Sequence, residues 1–491
     1  MTEAEQYDVV VLGAGPAGEN IADRTCAAGL TTAVVESELV GGECSYWACV
    51  PSKALLRPAL ARADARRVPG LAAAVRGPLD PEAVFAHRDY WTGHWKDDGQ
   101  LDWLASIGAH FHRGHGRLDG PRRVAVTSAE GEHHVLTARH AVVVATGSRA
   151  VVPDLPGLAG ARPWTSREAT SARQVPPRLL IVGGSVVAAE MATAWQALGS
   201  RVTVLVRGDR LLPRMEPFAG ELVAEALREA GAEIRTGVSV QAVVRDGHTG
   251  PVTAVLENGE TVEGDELLMA TGRSPRTEDI GLETVGLAPG DWIPVDDTLR
   301  SAAHDWLYAV GDVNHRALLT HQGKYQARIA GAAIAARFAG TAGKAGTAGT
   351  GGDGALDTAR WSPHVATADT AALPQVVFTD PEAAAVGPTL DAAERAGHRV
   401  RAVDYDLGKV TGAGLYADGY RGRARMLVDL DRGTLLGATF VGPGAAELLH
   451  AATIAVAGEV PVDRLWHAVP SFPAMSEIWL RLLETYRDSE G

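Results

Sequence analysis

The 491-residue sequence has few cysteines, no long basic stretch and no long apolar run. Its three cysteines are too few to hold a chain of this length together through a disulfide framework. No run of about 18 apolar residues is present that could cross a membrane, and the acidic N-terminus lacks the basic segment that opens a secretory signal. A net charge of −14 without a basic cluster argues against nucleic-acid binding. We therefore expect a cytoplasmic protein that has neither a membrane nor a nucleic acid as partner.

Two of the three cysteines lie close together, in the stretch GGECSYWACVPSK at residues 41–53. A Cys-x4-Cys pair can be half of a metal site, a redox-active disulfide or two inert buried thiols. A tetrahedral metal needs two more ligands, and only Cys26 remains, inside a predicted helix, so we expect no metal site. A helix pattern follows Cys49, and a helix N-terminus stabilises a thiolate, to which Lys53 adds a positive charge nearby. These features favour a redox role for Cys44 and Cys49.

The N-terminal pattern at residues 7–36 predicts a strand, a glycine turn, a helix and a second strand. The glycines follow the G-x-G-x-x-G spacing of a dinucleotide-binding turn. Gly13 permits the tight turn, Gly15 lets the backbone approach a pyrophosphate at the helix N-terminus, and Gly18 lets helix and strand pack closely. Glu36, at the end of the second strand, can accept hydrogen bonds from a ribose diol.

A second unit of the same order lies at residues 178–213. Its glycine pattern is degraded, because only Gly183 remains and Ser185 and Ala188 take the other two positions. Its second strand ends at Arg207, where the first unit has an acid. A cation there suits a 2′-phosphate, so the pattern favours NADPH over NADH.

The rest of the chain suggests further domains. Two strands end in glycine turns, VVVATGSRA at 142–150 and WLYAVGDVN at 306–314, the second of which carries an acid that can reach a sugar-like hydroxyl. Residues 340–354 are low-complexity Gly/Thr/Ala sequence and predict a linker. Residues 374–480 mix strand and helix patterns, as expected of a separate α/β domain.

This order of motifs resembles the flavoprotein disulfide reductases, a family that includes glutathione reductase, dihydrolipoamide dehydrogenase and mercuric reductase. The string Gly-Gly-x-Cys-x4-Cys-x-Pro-Ser-Lys carries most of the resemblance. It implies an α/β fold with two Rossmann-like nucleotide-binding domains and a C-terminal α+β dimerisation domain, working as a homodimer. The implied boundaries are 1–150 for the FAD-binding domain, 151–280 for the NAD(P)H-binding domain, 281–340 for the return to the central domain, 341–372 for a flexible linker and 373–491 for the dimerisation domain.

The resemblance also implies roles for individual residues. Cys49 would be the sulfur next to the flavin, Cys44 the interchange thiol that attacks substrate, and Lys53 and Glu190 an ion pair beside the flavin. Glu36 would hold the adenosine ribose of FAD and Asp312 its ribityl chain. The cofactor-binding positions for FAD and NADPH together would be Gly13, Gly15, Gly18, Glu36, Gly42, Lys53, Ala145, Thr146, Gly147, Gly183, Ser185, Ala188, Glu190, Arg207, Gly272, Gly311 and Asp312.

The sequence departs from the family near its C-terminus. Members that reduce disulfides carry His-Pro there, with a Glu five positions after the His. The stretch AVPSFPAMSE at residues 468–477 keeps Pro473 and Glu477 but has Phe472 where the family has its base. Phenylalanine cannot move a proton, and a general base typically contributes 10²–10⁴-fold. His467 could substitute only if a loop brought it to the site.

We therefore predict an FAD enzyme that passes electrons from NADPH through a Cys44–Cys49 disulfide to a disulfide or another small acceptor. Two alternatives stay open. One is a quinone reductase or diaphorase that uses the flavin directly, which would tolerate Phe472. The other is a nucleotide-binding redox sensor without enzymatic activity, which rapid NADPH turnover would exclude.

Overall fold

The computed structural model describes residues 5–338 and 356–488, which form two compact units. The first unit contains the described parts of residues 1–50, 89–149 and 273–369, and the second contains those of 51–88, 150–272 and 370–491. The predicted linker at 340–354 lies outside the described residues. Among the described residues, no helix combines the length and the apolar character that a membrane span requires.

The first unit is built on a seven-stranded sheet whose central strand is Glu5–Leu12. Val11 pairs in parallel with Val34 on one side and Val143 on the other, and all three side chains are fully buried. Such continuous apolar runs are typical of parallel strands covered on both faces. The strands are Glu5–Leu12, Thr32–Glu36, His110–Arg113, His115–Leu118, Arg123–Thr127, His133–Val144 and Leu307–Ala309.

The helices of the first unit pack on this sheet. Pro16 begins the first helix, where its missing N–H costs nothing. The helices are Pro16–Ala27, Gly42–Tyr46, Asp98–Ser106 and Thr320–Phe338. Three more helices continue from one unit into the other along the chain, Cys49–Arg66, Pro81–Trp91 and Ala368–Ala371. The short strands Ser148–Ala150 and Arg273–Pro275 lie where the chain passes between the units.

The second unit contains three sheets. A four-stranded parallel sheet comprises Arg178–Val182, Arg201–Val206, Glu233–Thr236 and Glu266–Met269. A three-stranded antiparallel sheet comprises Val240–Arg245, Val252–Leu256 and Thr261–Gly264. A five-stranded antiparallel sheet comprises Pro374–Val377, Glu382–Val386, Val400–Asp406, Arg423–Asp429 and Thr434–Gly442.

The helices of the second unit include one that carries Trp195, which is fully buried beside Trp164 and Phe85. They are Leu158–Ala161, Ser166–Ser171, Val186–Ala197, Pro217–Glu229, Leu390–Arg395, Thr411–Tyr416, Leu449–Ala457, Val462–Leu465 and Ile478–Asp488. The predicted fold class is confirmed: there are two parallel β-α-β units and a C-terminal region of antiparallel sheet and helices.

Candidate functional site

The first glycine turn leaves an open space at the N-terminus of the helix Pro16–Ala27. Gly13 has a φ of +96°, and a Cβ placed on it would lie 2.6 Å from the carbonyl oxygen of Ala145. A Cβ on Gly18 would overlap the carbonyl of Gly13, so helix and turn are in direct contact. A Cβ on Gly15, by contrast, would meet nothing within 4 Å. The turn is therefore closed toward the protein and open where a phosphate would approach free N–H groups.

Glu36 holds this turn in place. Its Oε2 accepts a hydrogen bond from the Ala14 N–H at 2.8 Å, and its Oε1 accepts one from the Glu38 N–H at 2.8 Å. Each carboxylate oxygen has two acceptor positions, so the half-buried side chain can still accept a bond from a ribose hydroxyl. Gly42 closes the other side of the turn, since a Cβ on it would lie 2.9 Å from Gly15 Cα.

A second group of polar residues follows the ends of two neighbouring strands of the seven-stranded sheet, His133–Val144 and Leu307–Ala309. Asp312 accepts a hydrogen bond from the Ser148 hydroxyl at 2.5 Å, and Arg273 donates to the same hydroxyl oxygen at 2.5 Å. Burial raises the pKa of Asp312. Gly311, with a φ of +79°, forms the turn before Asp312, and its N–H donates to Gln326 at 2.8 Å.

The stretch Ala145, Thr146 and Gly147 also borders the first glycine turn. The hydroxyl of Thr146 is buried and has no hydrogen-bond partner among the described residues, and buried polar groups normally have one. Gly147 takes a φ of +71°. The unsatisfied Thr146 hydroxyl lies beside the open N-terminus of the helix Pro16–Ala27, and Glu36 and Asp312 lie at strand ends of the same sheet. This set of groups fits a bound FAD.

The two cysteines lie together in the first unit. Cys44 is in the five-residue helix Gly42–Tyr46, and Cys49 is the first residue of the helix Cys49–Arg66. Both are half-buried thiols in this structure and hydrogen-bond to each other. The Thr320 hydroxyl lies 3.2 Å from Cys49 Sγ, and Thr320 is itself the first residue of a 19-residue helix. Two helix N-termini therefore meet at the sulfur of Cys49, where they stabilise negative charge.

The surroundings of Cys44 change the pKa of its thiol. The hydrogen bond to Cys49 and burial together raise the pKa of Cys44, while Thr320 and Lys324 act in the opposite direction. The surroundings of Cys44 therefore favour its protonated thiol form. Burial also raises the pKa of Glu19, in the first turn of the glycine-motif helix, to about 7, against the opposing effect of Lys324. The positive charge of Lys324 thus lowers the pKa of both Cys44 and Glu19, against the effect of burial.

The aromatic residues between the cysteines differ in environment. Tyr46 is 1% exposed, and its hydroxyl donates to the Val40 carbonyl at 3.0 Å. Burial raises its pKa to about 12. Tyr46 is therefore a core residue, whereas the neighbouring Trp47 is half-buried.

The second unit contains the predicted ion pair. Lys53 Nζ lies 2.8 Å from Glu190 Oε2, and Glu190 is 3% exposed. The other carboxylate oxygen of Glu190 accepts the Phe378 N–H at 3.0 Å, and Lys53 Nζ lies 5.1 Å from the centre of the Phe378 ring. The carboxylate is therefore satisfied on both oxygens, which fixes the position of the lysine.

The second glycine turn is also built for close packing. Gly183 has a φ of +127°, and a Cβ on it would overlap the carbonyl of Ala270. Ser185 donates its hydroxyl to that same carbonyl at 3.1 Å, so the side chain turns back toward the sheet. Ala188 is fully buried, and Arg207 follows the strand as an exposed side chain. Gly272, with a φ of +132° and nothing within 4 Å of an added Cβ, leaves further open space in this unit.

The C-terminal segment of the second unit places Phe472 and Glu477 in contrasting environments. Phe472 is 73% exposed. Glu477 is buried, and its Oε1 accepts a hydrogen bond from Arg481 at 2.5 Å, while its Oε2 has no hydrogen-bond partner among the described residues. One carboxylate oxygen of Glu477 is thus buried and unsatisfied, at the position where the resemblance expects a partner for histidine.

Comparison with known proteins agrees with this geometry. Residues 7–336 match the family model described as pyridine nucleotide-disulphide oxidoreductase, and residues 373–482 match the dimerisation domain of that family. The chain belongs to the pyridine nucleotide-disulphide oxidoreductases. It is a flavin-dependent oxidoreductase of that family, in which FAD and a pyridine nucleotide are the usual cofactors.

Relatives of this oxidoreductase match along nearly its whole length. It is 33% identical over 473 residues to a mercuric reductase of Streptomyces lividans, covering 94% of this chain and 93% of the relative. It is 29% identical over 481 residues to a dihydrolipoyl dehydrogenase of Chlorobaculum tepidum, covering 97% and 96%. Among solved structures, LpdA of Mycobacterium tuberculosis has a TM-score of 0.79 at 26% identity over 98% of this chain and 99% of that one. The disulfide reductase RclA of Escherichia coli, at 23% identity, a TM-score of 0.79 and coverage of 97% and 99%, shares the fold.

Four residues of the oxidoreductase's site were missed by the sequence analysis. Thr320 and Lys324 lie beside the cysteines, and Ser148 and Arg273 contact Asp312. Thr320 precedes a long run without proline or clustered turn residues, so the start of a helix could have been predicted there. Its contact with Cys49 joins residues 271 positions apart, and a single sequence carries no signal for that.

Proposed function

We propose that this oxidoreductase transfers electrons from NADPH to a small acceptor through a redox-active Cys44–Cys49 pair, as a cytoplasmic homodimer. The observation that carries the proposal is the contact of Cys44, Cys49 and Thr320 at two helix N-termini. Inert core cysteines need no such stabilisation of a thiolate. The dimerisation-domain match at residues 373–482 supports the homodimer, and the three cysteines suit a reducing compartment.

FAD, when bound, would supply the two-electron chemistry that links the nucleotide to the Cys44–Cys49 disulfide. On this proposal the glycine turn at Gly13, Gly15 and Gly18 holds its pyrophosphate. Glu36 and Asp312 hold hydroxyl groups. The transfer of electrons from the protein to a disulfide acceptor is carried out by the thiols of Cys44 and Cys49.

Reduction of a disulfide acceptor needs two thiol exchanges and two proton transfers. The Cys44 thiolate attacks one acceptor sulfur, which forms a mixed disulfide and releases the first thiolate. Cys49 then attacks Cys44 Sγ, which closes the Cys44–Cys49 disulfide and releases the second thiolate. Each released thiolate takes up one proton, and Cys44 must first lose its own, which its raised pKa opposes. A disulfide substrate therefore requires a base at this site.

The nucleotide preference rests on Arg207. It is an exposed cation directly after the second strand of the second glycine unit, where a 2′-phosphate would be recognised. The ion pair of Lys53 with Glu190 is proposed to serve the nicotinamide, in line with the family resemblance. The remaining nucleotide contacts would come from Gly183, Ser185, Ala188 and Gly272.

The acceptor is proposed to be one that needs no proton transfer from the protein. Phe472 stands at the position of the family's base and cannot supply this transfer. The 491 residues have no cysteine after Cys49, so the C-terminal cysteine pair that the resemblance leads us to expect of a mercuric reductase is missing. The second candidate function is direct reduction of a quinone by the flavin, without the Cys44–Cys49 pair, and Phe472 is the observation that favours it.

Steady-state kinetics with two acceptors distinguishes the route through the Cys44–Cys49 pair from direct reduction of a quinone by the flavin. The wild type should reduce a small quinone faster than glutathione disulfide, and Cys44→Ser should keep much of the quinone rate. Loss of the general-base contribution should raise the activation barrier for disulfide reduction by roughly 3–5 kcal/mol.

Phe472→His should recover part of the disulfide activity, because Glu477 Oε2 has no other hydrogen-bond partner among the described residues and can orient the new ring. Phe472→Gln should not recover it. A wild-type kcat/KM for glutathione disulfide of about 10⁶ M⁻¹s⁻¹ or more would show that another base serves the site, with His467 the first to replace.

A further inference from the structure

Three strands of the first unit bring two histidines and a glutamate together. Glu5 begins the strand Glu5–Leu12, His112 lies on His110–Arg113, and His134 lies on His133–Val144. One ligand atom of each, a carboxylate oxygen or a ring nitrogen, lies within 4.8 Å of the other two. Both histidines are half-buried and Glu5 is exposed, so the group can be reached from solvent.

The separation of the two rings suits a shared ligand. His112 Nδ1 and His134 Nε2 lie 3.2 Å apart. Two nitrogens at about 2.1 Å from a metal ion and 3.2 Å from each other subtend about 100° at the metal, close to a tetrahedral angle. In the metal-free protein the same separation accommodates an N–H···N hydrogen bond, so the rings need little rearrangement to bind an ion.

Tyr7 gives this group an outer layer of hydrogen bonds. His112 Nε2 lies 3.2 Å from the Tyr7 hydroxyl, which donates to Glu5 Oε2 at 2.8 Å. When the His112 Nε2–H donates to Tyr7, the lone pair of His112 is on Nδ1, the nitrogen that faces His134. Histidines that bind metals usually have their other ring nitrogen held in this way.

Within residues 5–338 and 356–488, no lysine or arginine forms an ion pair with Glu5. The Glu5 carboxylate accepts a hydrogen bond from the Tyr7 hydroxyl at 2.8 Å. An anionic carboxylate beside two imidazoles is therefore left for a cation to neutralise.

We propose that Glu5, His112 and His134 bind a divalent transition-metal ion of the Zn²⁺ type. This departs from the prediction of no metal site, which considered ligands for the Cys44–Cys49 pair, and it uses neither Cys44 nor Cys49. Two imidazoles and one carboxylate suit Zn²⁺, Ni²⁺ or Cu²⁺, whereas Mg²⁺ and Ca²⁺ prefer oxygen ligands alone. Three protein ligands leave at least one coordination position for water.

Zn²⁺ titration of the flavin-loaded protein against a chromogenic chelator tests the proposal. Because reduced thiols also bind Zn²⁺, the titration is made in a Cys44→Ser/Cys49→Ser background. We expect one Zn²⁺ per chain, with affinity reduced at least 100-fold by His134→Ala and about 10-fold by Tyr7→Phe. Glu5→Gln retains an acceptor for Tyr7 on an exposed side chain, so it should weaken binding without unfolding the strand.

His133→Ala is the matched control. His133 is the neighbouring histidine on the same strand, and its Nδ1 contacts the Thr127 hydroxyl at 2.9 Å. It should leave Zn²⁺ affinity unchanged. Equal binding by the parent and by Glu5→Gln and His134→Ala would overturn the proposal, as would an equal loss in His133→Ala. Mg²⁺ displacing Zn²⁺ at comparable concentration would also overturn it.

Discussion

Replacing Thr320 with valine should destabilise the Cys49 thiolate. The Thr320 hydroxyl lies 3.2 Å from Cys49 Sγ at the start of the helix Thr320–Phe338. When Cys49 is ionised, this hydroxyl is a donor that the thiolate can accept from. Valine has the same shape without the hydroxyl, so the substitution removes the donor without opening a cavity.

The expected effect follows from the energy of one hydrogen bond to a charged group. Such a bond contributes about 1.5–3 kcal/mol, which corresponds to roughly a 10- to 150-fold shift in the thiolate-to-thiol ratio at fixed pH. The two helix N-termini remain in the variant, so part of the stabilisation should persist. The thiolate should therefore become harder to form without being abolished.

The assay is a pH titration of the long-wavelength thiolate–flavin absorption in the two-electron-reduced protein. Thr320→Val should move the midpoint of this absorption to higher pH, and Thr320→Ser, which keeps the hydroxyl, should stay close to wild type. Cys49→Ser should lack the absorption, whereas Cys44→Ser, which has no disulfide to reduce, should show it while its flavin is still oxidised. An unchanged midpoint in Thr320→Val would refute the assigned role of Thr320.

Three further outcomes follow from the structure. Arg207→Glu should move the ratio of kcat/KM toward NADH by about ten- to a hundredfold, or about 1.4–2.7 kcal/mol, and a wild type that prefers NADH would contradict the assignment. Glu190→Leu should be less stable than Glu190→Gln by about 1–3 kcal/mol in denaturant unfolding, because both lose the ion pair with Lys53 but only leucine leaves the Phe378 N–H without its acceptor. The pKa of Glu19 is raised from 4.5 to about 7 by burial, so the folded state resists its ionisation and stability should fall as pH rises from 5 to 8. That fall is at most about 2.5 kcal/mol for this part-exposed side chain. Glu19→Gln should flatten the pH dependence of the unfolding free energy, and an unchanged slope would rule Glu19 out as its source.

The local features of the nucleotide-binding units could be predicted from the sequence. The helix predicted within residues 7–36 is present and runs Pro16–Ala27. Arg207 was predicted at the end of a strand and directly follows Arg201–Val206. These features depend on apolar periodicity and on glycine spacing, which act within about 30 residues.

Short elements and distant contacts could not be predicted in the same way. The helix Gly42–Tyr46, which carries Cys44, has five residues and too few turns to show a period. Thr320 reaches Cys49 only because the sheet brings distant segments together. The cluster of Glu5, His112 and His134 comes from three separate strands, so its residues have no motif spacing. Phe472 was recognised because a family pattern was available to depart from.

Anaerobic reductive titration tests the central claim, that Cys44 and Cys49 form a working redox pair beside a flavin. The air-oxidised wild type should take up about two two-electron equivalents per FAD, one for the flavin and one for the disulfide, and Cys44→Ser should take up about one. Uptake of a single equivalent by wild type, equal to that of Cys44→Ser, would show that the cysteines take no part in electron transfer and would contradict the account.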